Sequence, residues 1–445
     1  MSLRGTVPSG LNDSLTQLAY LNLENNNLSG PVPSLANLTF LQTVFLDNNN
    51  FNSIPHACFH ALTSLNLLSL NNNTKLSAWN FPTDLTAHSS QLQQLDLSST
   101  NLMGSLPNIS HSFPTIVTLD LSNNNLSSIP EGCFHNLTYL THLSLSNNTN
   151  LQPWTFPNLT QSTKLNELNL VATNLMGSLP SDIFESLPSL QTLVLSNNSL
   201  IGVLPQSFGG SKIATLHLNN QKGSGLSGPI DVLSSMIDLS QVWLQWNSFT
   251  GPIPDLSRCT DSGPIPKSSN GSVVNFGVNT TNGFCHKDPG RPCDHRVTIL
   301  LEIAADFKYP ILLARTWKGN NPCKGWSFIT CHDKSRIRTV NLSNLKLTGT
   351  ISSAFANLTD LQELYLDGNN LTGEIPEPLT SLPQLELLNV SNNHLVGNIP
   401  KFSPKVKVFA TGNDFSNGSH HRPNRISTPL ITGILSPTFR CSIYQ

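Results

Sequence analysis

The chain has 445 residues, which on length alone is enough for two or three domains. Only 11% of the residues are Asp, Glu, Lys or Arg, and 24 basic against 26 acidic residues leave a net charge of −2. Because binding to a phosphate backbone requires a basic footprint, this composition excludes general nucleic-acid binding. Leucine accounts for 70 residues, yet no stretch reaches the roughly 18 apolar residues that a membrane span requires.

Leucines recur in a fixed frame from the start of the chain. Residues 15–33 follow the template LxxLxxLxLxxNxLxGxxP, which returns at steps of 23 to 27 residues as far as Val242. A second array begins at Val340 and has two steps of 24. These periods are typical of leucine-rich repeats, and the xLxL portion alternates as a β-strand does. The sequence therefore predicts an α/β fold: a right-handed leucine-rich-repeat solenoid in two arrays, separated by a cysteine-containing non-repeat island, with stacked short strands lining a concave face.

An asparagine follows most of the predicted strands at one position of the repeat. Its side-chain amide can bond backbone groups of adjacent turns, and Thr100 and Thr173 take its place as weaker versions of the same device. These ladder positions are Asn26, Asn49, Asn73, Asn124, Asn148, Asn198, Asn247, Asn369 and Asn393.

Part of the first array is duplicated. The phrase SIPHACFHALTSL returns as SIPEGCFHNLTYL, which makes Cys58 equivalent to Cys133 and Trp79 equivalent to Trp154. Stacking at about 4.8 Å per repeat separates the two cysteines by roughly 14 Å, about twice the Cα limit for a disulfide. We therefore expect each cysteine to be a small buried residue on the convex side.

The repeat frame stops between Leu256 and Leu300, where the chain has no leucine. Two closely spaced pairs, Cys285 with Cys293 and Cys323 with Cys331, predict local disulfides formed in an oxidising compartment. A zinc site is the weaker alternative, because the spacing within each pair is wider than the C-x₂₋₄-C of structural zinc sites.

Between the two cysteine pairs, apolar residues from Val297 to Phe307 fall on one face of a helix. We expect this helix and the second disulfide to cap the second array, since the end of a solenoid exposes an apolar layer. Cys259 and Cys441 have no obvious partner. The predicted organisation is a first array of about ten repeats at 1–256, the island at 257–336, a second array at 337–415 and a disordered tail at 416–445.

Seventeen N-x-S/T sequons occur, and with the cysteine pairs they favour a secreted or cell-surface protein. Some of them follow simply from the consensus phrases NxLSG and NLT. The candidates for glycosylation are Asn37, Asn136, Asn197, Asn279 and Asn357.

The chain has no motif for catalysis. Gly223, Gly225 and Gly228 match GxGxxG, but Gly228 is the ordinary repeat glycine, and the strand-to-helix context of a dinucleotide site is missing. The phrases of P-loop, zinc-peptidase, serine-hydrolase and protein-kinase sites are also missing. We therefore predict neither an enzyme nor a cofactor or metal site in this chain.

The predicted concave face offers a binding surface instead. Large apolar residues at its outward positions fit the aromatic bias of protein-binding hot spots. The alternative is that Trp243 and Trp246 pack against the island or a neighbouring repeat, because a register error of one residue would bury them. The candidate surface residues are Tyr20, Phe45, His217, Gln241, Trp243, Gln245, Trp246 and Tyr365.

The repeats that carry GxIP resemble the plant extracellular leucine-rich-repeat type. A long array, the island phrase CDHRVTILLEIAADFKYPILLARTWKGNNPCKGWSFITC and three repeats ending in VGNIPKFSPKVKVFATGND together resemble the ectodomain of the plant transmembrane kinase (TMK) subfamily of receptor-like kinases. The resemblance runs to about Asn417 and implies a plasma-membrane receptor with a split extracellular solenoid, one transmembrane helix and a cytoplasmic Ser/Thr kinase. It also implies auxin-related growth signalling, with an apoplastic auxin-binding protein or a co-receptor as partner.

Three departures from this family pattern stand out. The chain begins within a repeat at Leu3, without a signal peptide or the family's N-terminal cysteine cap. Two GPIP phrases lie only 12 residues apart, from Gly251 to Gly263, which indicates a lost segment of about one and a half repeats. Neither a membrane span nor a kinase follows Asn417.

Our leading hypothesis is a non-enzymatic ectodomain that binds a protein, peptide or small-molecule ligand for a TMK-like receptor kinase. It would lie on the extracellular face of the plasma membrane. One alternative is a secreted leucine-rich-repeat protein that inhibits extracellular enzymes or serves in defence recognition. A second alternative is a non-functional truncated product.

Overall fold

The computed structural model describes residues 2–256, the backbone of residues 274–275, and residues 281–415. Several features expected from the sequence lie outside these residues: the predicted tail at 416–445, the second GPIP phrase at Gly263, Cys259, Cys441 and the sequon at Asn279.

One long parallel sheet runs through the first array and confirms the predicted solenoid. Each repeat contributes a short strand, and equivalent residues of successive strands pair in register, as Leu168 does with Leu193. The solvent-facing side of this sheet is the concave face. Its strands are Tyr20–Asn22, Thr43–Phe45, Leu67–Ser69, Gln94–Asp96, Thr118–Asp120, His142–Ser144, Glu167–Asn169, Thr192–Val194, Thr215–His217, Gln241–Trp243 and Val274–Asn275.

A second set of short strands forms smaller parallel sheets along one flank, where the LxGxxP half of each repeat lies. These strands are Arg4–Thr6, Asn27–Pro31, Asn50–Ser53, Trp79–Asn80, Leu102–Ser105, Asn125–Ser128, Met176–Gly177, Ser199–Leu200, Ser227–Gly228, Ser248–Gly251 and Gly283–Phe284. Short helical turns complete several repeats on the convex side, at Leu11–Ser14, Thr83–His88, Ile109–Ser112, Ile183–Ser186, Gln206–Gly210 and Asp231–Ser235.

The second array repeats this plan on a smaller scale. Its main sheet contains Ile329–His332, Arg336–Asn341, Glu363–Tyr365, Leu387–Asn389 and Lys407–Phe409. Its flank strands are Thr348–Thr350, Asn370–Gly373 and His394–Leu395, and its convex turns are Ser353–Asn357 and Glu377–Ser381. The island supplies two helices, which we call the first and second island helices: His295–Asp306 and Ile311–Thr316.

The repeat leucines point inward and form two separate apolar cores. The first core extends from Leu21 to Phe284, and the second extends from Cys285 through the island helices to Phe415. Strand pairing of the first array also continues past the boundary expected at residue 256, because Val242 pairs with Val274 and Gly251 with Phe284. The apolar side chain of Phe284 allows this last layer to join the first core without a leucine.

The asparagine ladder joins neighbouring repeats, as the sequence predicts. The Asn198 side chain is fully buried; its amide donates to the carbonyls of Leu170 at 2.6 Å and Leu195 at 3.0 Å. Its Oδ1 accepts from the backbone N–H groups of Thr173 and Leu175, each at 3.0 Å. The bent chain has no strand partner for these groups, so the side chain replaces one.

In the first array, two members of the ladder were not expected from the sequence. Gln221 fills the position in the repeat after Asn198: its Oε1 accepts from the Leu200 N–H at 3.0 Å and its Nε2 donates to the Leu195 carbonyl at 2.9 Å. Asn282 donates to the Leu244 carbonyl at 3.0 Å and accepts from the Phe249 N–H at 2.9 Å. The ladder therefore continues into the segment expected to be non-repeat.

The two copies of the duplicated segment make equivalent contacts in the structure. The indole N–H groups of Trp79 and Trp154 donate to the carbonyls of Thr100 and Thr173, both at 2.8 Å. Cys58 and Cys133 are free and buried, as expected. Burial raises the pKa of the Cys58 thiol to about 12 and the pKa of the Cys133 thiol to about 11.

The first island helix packs against the convex turn Ser353–Asn357 of the second array, whereas the second island helix packs against the flank strands Ser227–Gly228 and Ser248–Gly251 of the first array. Cys285–Cys293 and Cys323–Cys331 are bonded, with Cα–Cα distances of 5.5 and 5.6 Å. Strand Ile329–His332 pairs antiparallel with the first strand of the second array, so the segment of the second disulfide covers that end as expected. Gly349 allows the flank strand to approach the first island helix, since a Cβ there would lie 2.0 Å from the Asp306 carbonyl oxygen.

Removal of one ladder asparagine should destabilise the first array strongly. Asn198→Ala leaves several buried backbone groups without a partner, each worth about 1–3 kcal/mol, so we expect a loss of at least about 3 kcal/mol in the free energy of unfolding. Denaturant titration measures this loss. The control is Gln191→Ala, an exposed site in the same repeat; equal effects of the two changes would contradict the ladder's role.

The two free thiols should resist alkylation in the folded chain. A pH of 8 lies far below the raised pKa values of both thiols, so almost no thiolate exists. Burial also blocks the access of iodoacetamide to them. Mass spectrometry should find Cys58 and Cys133 unlabelled in native protein and fully labelled after unfolding in guanidinium. Rapid labelling of either residue in native protein would show that its pocket is open.

Candidate ligand-binding surface

All eight candidate surface residues lie on the solvent side of their strands or just after them. Tyr20 and Trp246 are 56% and 54% exposed, and the other six are half-buried, while the leucines and valines between them are buried. The predicted register is therefore correct, and the two tryptophans are not core residues. The candidates form three groups: Tyr20 with Phe45 at the start of the first array, Tyr365 in the second array, and five residues at the island end of the long sheet.

The island-end group is centred on an aromatic stack. The rings of His217 and Trp243 are nearly parallel, with their centroids 4.2 Å apart. Burial lowers the pKa of His217, which favours the neutral imidazole in this stack. Beside the stack, His217 Nε2 and Gln245 Oε1 are buried and have no hydrogen-bond partner within the part of the chain that the structure describes.

Trp246 adopts an unusual backbone conformation for a large side chain. Its φ is 59°, in the left-handed region, and its ring is exposed. The same position in seven other repeats of the first array is asparagine, which tolerates this conformation. A tryptophan there costs about 1 kcal/mol or more in the free energy of folding. The equivalent asparagines are Asn25, Asn48, Asn72, Asn123, Asn147, Asn197 and Asn220.

Next to Trp246 is a pocket of about 290 Å³ that the sequence did not predict. Two cations of the island reach it: Arg315 donates to the Gly223 carbonyl at 3.0 Å, and Lys318 donates to the Thr281 carbonyl at 2.6 Å. The sequence contains two features that relate to this pocket: a short insertion in the repeat around Gly223, and two cations three residues apart in a chain poor in charge. The pocket is lined by Gln221, Gly223, Ser224, Trp246, Asn247, Ser248, Thr281, Arg315 and Lys318.

Charge is unevenly distributed along the long sheet. Its described strands contain Asp96, Asp120 and Glu167 but no lysine or arginine. Asp47 follows the second strand and bonds the Ser69 hydroxyl. Burial raises the pKa values of Asp47 and Asp96. The middle of the concave face is therefore acidic, whereas the island end is aromatic and carries the nearby cations.

Three of the four described glycosylation candidates lie away from the concave face. Asn37, Asn136 and Asn357 are exposed between a flank strand and the next strand of the main sheet, whereas Asn197 is exposed at the repeat position that Trp246 occupies. Among the described residues, no sequon falls within a strand of the first array's long sheet. In the second array two do, Asn341 and Asn389. Glycans on the first array would therefore attach beside the strands of its long sheet and not on them.

The repeat structure and its sheets define the class of protein. The Leucine rich repeat family model matches residues 114–166, 163–222 and 335–395, and a related Leucine Rich Repeat model matches residues 17–38. The chain is a leucine-rich-repeat protein.

Plant receptor kinases are its relatives. The receptor-like kinase TMK2 of Arabidopsis thaliana is 37% identical over 398 residues, covering 81% of this chain and 36% of TMK2. TMK4 of the same plant is 40% identical over 402 residues, covering 83% of this chain and 35% of TMK4. The chain thus spans about a third of the length of either relative. It is a homologue of the ectodomains of TMK receptor-like kinases, which confirms the family indicated by the island phrase.

Solved structures share the fold. The structure of the plant peptide hormone receptor RGFR1 in complex with RGF2 matches with a TM-score of 0.51 at 24% identity, covering 93% of this chain and 66% of that chain. At this identity the likeness concerns the fold alone. None of the helices in the described residues is long and apolar enough to span a bilayer.

The strain at Trp246 predicts an increase in stability on its replacement. Trp246→Asn should raise the free energy of unfolding by about 1 kcal/mol, since asparagine tolerates the left-handed backbone. The matched reverse change, Asn197→Trp, should lower it by a similar amount. Thermal and denaturant unfolding of deglycosylated protein measure both. A large loss of stability in Trp246→Asn would show instead that the indole ring is a structural contact.

Proposed function

We propose that this chain is the extracellular ligand-recognition part of a TMK-like receptor kinase, and that it binds a protein or peptide partner on the concave face of its first array. The observation that carries the proposal is the group of large side chains at the island end of the long sheet: Gln241, Trp243, Gln245 and Trp246, together with His217. Exposed aromatic residues of this kind are enriched at the centres of protein interfaces.

Three further features support this location. None of the described strands of the first array's long sheet contains a sequon, so glycans would attach beside these strands and not on them. Trp246 keeps an exposed ring despite an unfavourable backbone conformation. RGFR1, whose fold is similar, is a plant peptide hormone receptor whose structure is known in complex with RGF2, so a peptide is a ligand that such a solenoid can hold.

Signalling by this chain would depend on a kinase domain of the kind that gives its relatives their names. In the proposed mechanism, the ectodomain contributes recognition, and partner or co-receptor association is passed to that kinase across the membrane. A location on the extracellular face of the plasma membrane belongs to the same proposal. The auxin-related role and the apoplastic auxin-binding protein remain predictions from the family resemblance.

Affinity capture from plant apoplastic fluid tests the proposal. The secreted full-length chain is immobilised beside a Gln241→Ala/Trp243→Ala variant, and retained proteins and peptides are quantified by mass spectrometry. We expect at least one ligand to be retained by the native chain and to fall at least tenfold with the variant, because the variant removes the centre of the surface.

The control is Ile237→Ala, which removes an exposed apolar side chain of the same repeat outside the strand. It should retain the ligand as the native chain does. Melting temperatures of all three proteins show that each is folded. If the two variants and the native chain retain the same set of molecules equally, the concave surface is not the binding site.

A further inference from the structure

The pocket beside Trp246 is built by parts of the chain that are far apart in sequence. One wall is the lengthened repeat around Gly223, the second is the exposed ring of Trp246, and the third is the end of the second island helix with Arg315 and Lys318. Arg315 and Gly223 are 92 residues apart. The pocket therefore exists only because the island folds back onto the flank of the first array.

Two positive charges meet at this pocket, and none of the described residues supplies an acidic partner for them. Within the described residues, neither Arg315 nor Lys318 forms an ion pair with a carboxylate. Their hydrogen bonds to the carbonyls of Gly223 and Thr281 fix their positions but leave their charges uncompensated. An arginine has five N–H donors and a lysine three, so both can donate to a further acceptor.

The pKa of Lys318 is consistent with two positive charges that lie close together. Burial holds its pKa below the usual range, and the neighbouring charge of Arg315 lowers it further. A bound anion would raise the pKa of Lys318 again, because it favours the charged forms of Lys318 and Arg315. The acidic residues of the concave face, such as Asp96 and Asp120, belong to strands several repeats away.

Trp246 gives the pocket a flat apolar wall. The ring is exposed, and the backbone at this residue has the left-handed conformation that asparagine adopts at the same position in seven other repeats of the first array. A ligand that pairs a planar anion with a flat apolar group would use both features, since a guanidinium matches the two oxygens of a carboxylate and an indole stacks on flat groups.

We propose that this pocket binds a carboxylate whose carrier has a flat apolar group that stacks on Trp246. The proposal rests on the ligand-recognition function above and specifies the chemistry of one part of the ligand. The carboxylate could be the C-terminus of a peptide or belong to a free aromatic acid. Arg315 would bind it through paired N–H groups, and Lys318 would add a point charge.

Matched small probes test the pocket on the full-length chain. N-acetylphenylalanine represents a peptide C-terminus, 3-phenylpropionate represents a free aromatic acid, and the amide of each removes only the charge. Ligand-observed NMR or calorimetry should give dissociation constants at least tenfold lower for an acid than for its amide. The acid with the lower constant identifies the source of the carboxylate. Tighter binding of inorganic phosphate than of either acid, or equal binding of acids and amides, including none, would overturn the proposal.

Variants then assign the binding to these side chains. Arg315→Gln/Lys318→Gln should weaken acid binding at least tenfold and leave amide binding unchanged. The control is Arg291→Gln/Lys324→Gln, which removes two exposed cations elsewhere in the island and should bind as the native chain does. Trp246→Asn should weaken acids and amides alike, because it removes the stacking surface. Unchanged acid binding in a folded Arg315→Gln/Lys318→Gln variant contradicts the site.

If the cation variant does not fold, the comparison of acids with amides on the native chain still decides the question. The outcomes also separate this site from the proposed function. Partner capture that depends on Trp243, together with no preference for acids, would contradict the pocket alone. A preference for acids without any captured partner would support the pocket and contradict recognition across the concave face.

Discussion

The structure depends on hydrogen bonding between the side-chain amides of one repeat and the backbone of the preceding repeat. A chain that turns every 23 to 27 residues leaves peptide groups at each bend without a strand partner. Asn198 and its equivalents supply donor and acceptor together, so each repeat is bonded to the one before it. Because the amides fix the stacking, the solvent-facing positions of every strand are fixed as well, and the binding surface follows from them.

Most of the fold could be predicted because the repeat encodes it locally. The xLxL alternation determines which residues face inward, and so the outward position of Trp243 follows from the register of its strand. The duplicated phrase predicts equal surroundings for Trp79 and Trp154, and both indoles bond the equivalent carbonyl. The two disulfides follow from the spacing of their cysteines.

Features that the repeat template does not encode could not be predicted from the sequence pattern. Gln221 takes the place of an asparagine because a side chain one methylene longer still reaches the same carbonyl, and the template does not record this tolerance. Asn282 and Phe284 continue the first array without a leucine to mark the repeat. The pocket of Arg315 and Lys318 depends on contacts between segments about 90 residues apart, so no local pattern indicates it.

The division of the apolar interior between Phe284 and Cys285 has a consequence for folding. In a solenoid, stability passes from each repeat to its neighbours, so an interruption of the core limits cooperativity at that point. Hydrogen bonds cross the interruption, including those of Arg315, Lys318 and Ser227 with its Tyr309 acceptor. The second island helix also packs against the flank strands of the first array. The two cores are therefore coupled by these hydrogen bonds and by that helix, and a molecule bound at this seam would strengthen the coupling between their unfolding transitions.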